Sequence, residues 1–62
     1  MTITITTNVG TKTFRSSEYA YQQYLRNPTP RRTANLLFKH TDMTKAQARA
    51  FLSGGYSVSA RP

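Results

Sequence analysis

The stretch TITITT, residues 2–7, decides the fold because it alternates polar and apolar residues with a period of two. Successive side chains of a β-strand point to opposite faces, so Ile3 and Ile5 share one face while the threonines share the other. β-Branched residues in this pattern are typical of a strand that buries one face and exposes the other to water. We therefore expect residues 2–7 to form a half-buried strand.

A β-hairpin is expected next, because the segment NVG follows this strand. Asn8 and Gly10 adopt turn conformations at little energetic cost, which suits a short loop. The residues TKTFR, 11–15, then resume the alternation and are expected to form the returning strand. Phe14 would join the isoleucine face, and the neighbouring Thr13 would face out.

The same alternation returns near the other end of the sequence, in YSVSA, residues 56–60. Tyr56 and Val58 fall on one face and serines on the other, which indicates a third strand. Residues 61–62 are expected to fray. We expect this strand to pair beside the first one, since the two ends of the sequence otherwise lack a partner strand.

Three helices are expected between the hairpin and the last strand, the first over residues 18–27. Ser17 is a favoured N-cap, and Glu18 places an acid in the first turn, where the helix dipole stabilises it. Pro28 ends the helix because the residue before proline avoids helical geometry. The apolar stripe of this helix comprises Ala20, Tyr21, Tyr24 and Leu25.

The second helix is expected to begin at Thr29 and Pro30, a capping residue followed by proline at the first helical position. The helical pattern fades around residues 39–41. Its apolar stripe comprises Ala34, Leu37 and Phe38, with Leu36 to one side.

The third helix is expected over residues 45–53, KAQARAFLS, which are rich in good helix formers. Thr44 and Gln47 match the capping-box pattern Thr-x-x-Gln at its start. Gly54 and Gly55 end it, because glycine accepts the left-handed conformation that often follows a helix.

The resulting order, ββαααβ, predicts one α+β domain over residues 1–62. Three short strands cannot bury both faces of a sheet with this composition, so we expect a three-stranded antiparallel sheet with the helices packed on one face. The residues expected on the covered face are Ile3, Ile5, Phe14, Tyr56 and Val58.

Net charge is the property that says most about function. Nine Lys and Arg residues oppose only Glu18 and Asp42, which gives a formal charge of +7 in 62 residues. The excess positive charges repel one another in the free protein and attract polyanions. Nucleic acid is the first candidate partner, an acidic protein surface the second and an anionic membrane surface the third.

A membrane location is not expected. No apolar run approaches the roughly 20 residues that span a bilayer. The start, MTITITTNVG, lacks a basic segment before its apolar residues, so it is typical of mature structure rather than of a signal peptide. We expect a cytoplasmic protein, and both a monomer and a homodimer are consistent with a small core and an open strand edge.

Enzymatic groups are scarce. Two carboxylates and one histidine leave little from which to build a general acid–base pair. His40 and Asp42 lie two residues apart at an expected helix boundary, where an exposed turn is the favoured interpretation. The chain has no cysteine, which excludes disulfides and thiolate zinc sites. We therefore expect no enzyme activity, no catalytic residue, no metal and no cofactor.

The positions of the basic residues are unusual. Arg31 and Arg32 fall in the first turn of the second helix, where the helix dipole disfavours cations. Lys45 and Arg49 form a like-charge pair one turn apart at the start of the third helix. A bound phosphate would reverse both effects, because amide donors and guanidinium groups would then point at one anion. We therefore expect anion sites at these helix starts.

The second and third helices, joined by KHTDM, resemble a helix-turn-helix, although the usual glycine of the turn is missing. That resemblance implies that the third helix enters the major groove of DNA. Gln47 and Arg49 would be suitable side chains for contacting base edges there.

These features favour a small nucleic-acid-binding protein, a DNA-binding regulator that uses the region of the second and third helices, with DNA favoured over RNA. The alternative is a protein-binding module, or a small viral-type inhibitor, that docks on an acidic surface of a partner enzyme. The predicted nucleic-acid-binding residues are Arg26, Arg31, Arg32, Lys45, Gln47 and Arg49.

Overall fold

The computed structural model describes residues 1–62 as three strands and three helices in the order ββαααβ. The elements are β1 (Thr2–Thr7), β2 (Gly10–Arg15), α1 (Glu18–Leu25), α2 (Pro30–His40), α3 (Lys45–Leu52) and β3 (Tyr56–Arg61). None of the helices has the length and apolar character needed to cross a bilayer. The α+β fold predicted from the sequence is confirmed.

The three strands form one antiparallel sheet in the order β2-β1-β3. The last strand therefore pairs beside the first, as predicted. Ile3 faces Phe14 of β2 and Ala60 of β3, and Ile5 faces Val58 of β3. This register places the apolar side chains of all three strands on one face of the sheet.

The hydrophobic core lies between that face and the helices. Ile3, Ile5 and Leu37 are completely buried, which puts the centre of the core between β1 and α2. The whole core comprises Ile3, Ile5, Phe14, Tyr24, Ala34, Leu36, Leu37, Ala48 and Leu52. The inward side chains of β3 are less well covered: Tyr56, Val58 and Ala60 pack against the core but remain half-buried.

Each helix begins at a hydroxyl cap, as predicted. The side-chain oxygens that accept a backbone N–H three residues on belong to Ser17, Thr29 and Thr44. At α3 the capping box is complete, because the Thr44 N–H also donates to the Gln47 side-chain oxygen at 2.9 Å. α3 ends at Leu52, and Gly55 follows with φ +99°, a conformation that a side chain would strain.

Four element boundaries differ from the prediction: β2 begins at Gly10 rather than residue 11, α3 ends at Leu52 rather than residue 53, and the ends of α1 and β3 also shift. α1 ends at Leu25, because the Arg26 N–H donates to the Gln23 carbonyl at 3.3 Å and the turn before Pro28 tightens to i→i+3 bonding. β3 extends to Arg61, which was expected to fray but pairs with Thr2 across the sheet.

The predicted apolar stripe of α2 is partly wrong. Phe38 is 43% exposed, whereas Leu36 is only 8% exposed and belongs to the core. Thr33, a polar residue that the stripe omitted, is completely buried. The buried face of α2 is therefore rotated toward Thr33. Leu25 of α1, also predicted to be covered, is 47% exposed.

Thr33 is tolerated in the core because its hydroxyl is fully used in hydrogen bonds. It donates at 2.9 Å to the Thr29 carbonyl, and a carbonyl oxygen can only accept. The Tyr24 hydroxyl, at 2.6 Å, and the Tyr56 hydroxyl, at 3.3 Å, therefore act as donors to the same oxygen. This cluster of hydroxyls ties α1, α2 and β3 together.

Alkaline unfolding tests the environment of Tyr24. Burial raises the pKa of Tyr24 above its ordinary value of 10.0. Above that pH the unfolded chain loses the Tyr24 proton while the folded protein keeps it. The free energy of unfolding should therefore fall as the pH rises through 10.0 and beyond.

The variant Tyr24→Phe should lose about 1 kcal/mol at neutral pH, because one buried hydrogen bond is removed. It should then decline less steeply than the unaltered protein at alkaline pH, as measured by urea unfolding. Parallel declines in the two proteins would show that Tyr24 is not the responsible group.

Candidate functional site

A groove between α2 and α3 brings together three of the predicted site residues. Arg31, Lys45 and Arg49 line it, together with Ala34 and Asn35. The α2 residues lie three and four positions apart, and the two α3 residues lie four apart, so each set occupies one side of its helix. We call Arg31, Asn35, Lys45 and Arg49 the basic groove.

The two helices run in opposite directions, which places Arg31 beside Arg49 and leaves Lys45 one turn further along the groove. α3 begins beside the last turn of α2, where the Lys45 Nζ lies 5.2 Å from the centre of the Phe38 ring. α3 ends beside the start of α2, where Pro30 and Leu52 line one shared depression. The two helix starts therefore lie at opposite ends of the pair rather than side by side.

Backbone donors contribute little at the start of α2. Pro30 has no N–H, the Arg32 N–H donates to the Thr29 hydroxyl at 3.2 Å, and the Thr33 N–H donates to the Thr29 carbonyl. This leaves only the N–H of Arg31 in the first turn. An anion in the basic groove would therefore be held by side chains rather than by the helix start.

Neither of the two carboxylates lines the basic groove. Glu18 lies in the first turn of α1. Asp42 lines a different depression, with Lys12 and His40. Because no acid offsets the cations locally, the groove has a positive potential that water and salt screen only in part.

Phe38 lies outside the core, and its exposed ring contacts Lys45 at this surface. Its exposed ring lies under the ammonium group of Lys45 at cation–π distance. This contact limits the positions that the flexible lysine side chain samples. Sequence reasoning assigned Phe38 to the core and so missed this contact.

Arg32, although predicted to bind phosphate, is engaged elsewhere. Its guanidinium Nη2 donates to the Gln23 carbonyl in the last turn of α1 at 2.9 Å. A cation at this end of a helix also interacts favourably with the helix dipole. The half-buried Arg32 thus links α1 to α2 and lies outside the basic groove.

Arg26 and Gln47 also lie apart from the basic groove. Arg26 is exposed at the end of α1. The Gln47 side-chain oxygen is occupied by the capping box, and Gln47 lines the depression that contains Asp42. Of the six predicted residues, the structure brings together Arg31, Lys45 and Arg49.

Asn35 is the groove residue that sequence reasoning missed. It lies four residues after Arg31, on the same side of α2, and this spacing was the available signal. Its amide can donate to a phosphate or form the paired hydrogen bonds that read adenine.

Comparison with protein families, curated proteins and solved structures finds no match to this chain. Its function is therefore inferred from the side chains alone. The basic groove measures about 240 Å³. That is below the range of about 300–1,000 Å³ typical of small-molecule pockets. Its dimensions and charge suit part of a larger anionic ligand.

Arg31 and Arg32, adjacent in sequence, should respond oppositely to truncation. Arg31→Ala removes an exposed cation that the helix dipole and its neighbours disfavour, so the free energy of unfolding should stay equal or rise by up to about 0.5 kcal/mol. Arg32→Ala removes the hydrogen bond to Gln23 and should lower it by about 1 kcal/mol. Urea unfolding of the two variants at one salt concentration measures both effects. Equal losses would contradict the distinction.

Proposed function

We propose that this protein binds nucleic acid through the basic groove, as a small DNA-binding regulator. The observation that supports the proposal is the convergence of Arg31, Lys45 and Arg49 in one groove with no carboxylate among its lining residues. A nucleic acid bound there would replace the mutual repulsion of three charges with favourable contacts to each of them. The strongest of these are charge-assisted hydrogen bonds from arginine, whose fork matches phosphate geometry.

The groove suggests a division of roles within the site. Arg31 lies at the border of two adjoining depressions that it shares with Arg49, so both arginines reach a continuous stretch of surface. We assign Arg31 and Lys45 to phosphate contacts, which position a duplex without reading its sequence. We assign Asn35 and Arg49 to base contacts, because Asn pairs with adenine and Arg with guanine.

Duplex DNA is the partner that we favour over RNA. The groove is formed by two helices, and helices commonly enter the major groove of B-DNA. The open face of the sheet carries threonine and serine rather than the aromatic residues with which RNA-binding sheets stack bases.

The dependence of affinity on salt measures how many cations take part. The two phosphate contacts of Arg31 and Lys45 give a log–log slope of about −1.8 on duplex DNA, whereas phosphate contacts by all five cations predicted from the sequence would give about −4.5. Arg31→Ala and Lys45→Ala should each weaken binding across all sequences and reduce the slope by about 0.9. Fluorescence anisotropy with a labelled duplex at several salt concentrations provides the measurement.

Arg26→Ala is the matched control, since it removes an exposed arginine outside the groove and changes the net charge equally. It should leave the slope nearly unchanged. If Arg26→Ala and Arg31→Ala reduce the slope equally, binding is a diffuse effect of net charge and the groove is not the site. An affinity that does not change with salt would exclude phosphate binding altogether.

The alternative partner, an acidic surface on a partner enzyme, would use the same cations. The side chains that favour it are Tyr19, 74% exposed, and Phe38, 43% exposed, since aromatic residues are enriched at protein interfaces. Capture of partners from lysate with and without nuclease separates the two functions. Nucleic acid alone supports the proposal, and a protein that survives nuclease treatment supports the alternative.

A further inference from the structure

β3 presents an unpaired edge of the sheet. It lies at one side of the order β2-β1-β3, and its six residues pair only with β1. An edge of this kind exposes backbone N–H and C=O groups that can pair with another strand.

The hydrogen-bond pattern between β1 and β2 identifies the backbone groups of β3 that point toward its free edge. Met1 and Ser16 exchange two backbone hydrogen bonds, at 2.9 and 3.0 Å, so the odd-numbered residues of β1 bond to β2. Because hydrogen-bonded and non-bonded pairs alternate along an antiparallel strand, the even-numbered residues of β1 bond to β3. Ser57, Ser59 and Arg61 are their partners. Tyr56, Val58 and Ala60 therefore direct their N–H and C=O groups toward the free edge.

The two edges of the sheet are not equally protected. On β2, Lys12 pairs with Ile5 and so points to the covered face, which places an inward charge on that edge. Inward charges are a common means of preventing strands from adding to a sheet. On β3 the inward residues are Tyr56, Val58 and Ala60, which are uncharged, apolar and only half-buried.

We propose that β3 is the interface for a second copy of this chain, which pairs its own β3 antiparallel across a two-fold axis at Val58. In this register Val58 faces Val58 of the other copy, and Tyr56 faces Ala60. All the outward N–H and C=O groups of Tyr56, Val58 and Ala60 then find partners. Any shift of register leaves some of them unpaired.

The side chains also suit self-pairing in this register. A large residue, Tyr56, lies opposite a small one, Ala60, and the inward apolar side chains of both copies share one face. On the outer face Ser57 lies opposite Ser59. Arg61, the only charged residue of the strand, lies opposite Gly55, so no two cations face each other. The interface therefore avoids the like-charge pairs that a chain of charge +7 risks.

The dimer would contain one six-stranded sheet with both helix layers on the same side. If the groove binds DNA, an inference that rests on the proposed function, the two basic grooves would lie on one side of a two-fold assembly. Two-fold symmetric DNA-binding proteins match two half-sites in this way.

Sedimentation of the free protein tests the interface without nucleic acid, so its result does not depend on the proposed function. One strand pair buries less than the roughly 1,200–2,000 Å² of a typical stable interface. We therefore expect a weak dimer that becomes populated between about 10 μM and 1 mM. A protein that stays monomeric throughout this range would overturn the proposal.

Proline substitutions at the two edges locate the interface. Val58→Pro removes an outward N–H of β3, and Thr13→Pro removes the equivalent outward N–H of β2, whose neighbours Lys12 and Phe14 bond to β1. We expect Val58→Pro to abolish the dimer and Thr13→Pro to retain it. Circular dichroism and urea unfolding confirm that each variant is folded.

If either proline variant does not fold, Val58→Lys and Thr13→Lys provide the same comparison. The first places an inward charge on the β3 edge, as Lys12 does on β2, and the second adds a lysine to the outer face of the other edge strand. Loss of the dimer in the β3 variant alone supports the proposal. Equal loss, or no loss, in both variants would place any dimer elsewhere and overturn it.

Discussion

Burial of Ile3 and Ile5 beneath the helices is the interaction on which the rest of the structure depends. β1 is the central strand, so these two side chains are covered from both neighbouring strands and from above, and neither retains exposed surface. A domain of about 60 residues has only about 3–5 kcal/mol of net stability. The free-energy cost of repulsion among the surface cations must therefore be smaller than this net stability.

Structural features that depend on residues close together in the sequence are predicted well. Strand alternation, the hydroxyl caps and the capping box at Thr44 depend on residues one to four positions apart, and all are confirmed. The stripe of α2 was wrong because Thr33 is buried through hydrogen bonds to Tyr24 and Tyr56, 9 and 23 residues away. No periodicity reveals such contacts.

The candidate site shows the same limit. Helical spacing correctly pairs Lys45 with Arg49, but adjacency in sequence says nothing about where Arg31 and Arg32 point. Successive residues of an α-helix are rotated by about 100°, so the two side chains leave α2 in different directions. That rotation puts Arg31 in the basic groove and Arg32 on the Gln23 carbonyl of α1. Charge alone therefore predicted a polyanion partner, and only the packing of α2 against its neighbours separates the cations of the basic groove from Arg32, which links α1 to α2.

If the basic groove binds an anion as proposed, stability and binding are coupled in this protein. Three exposed cations in one groove repel one another in the free state, and the chain supplies only two carboxylates to relieve them. An anion that occupies the groove removes this repulsion only in the folded protein, because the unfolded chain does not hold the three side chains together. Binding and folding then stabilise each other by mass action. The absence of acids near the groove thus lowers the stability of the free protein, and in the proposed complex the same charges would raise its affinity for a polyanion.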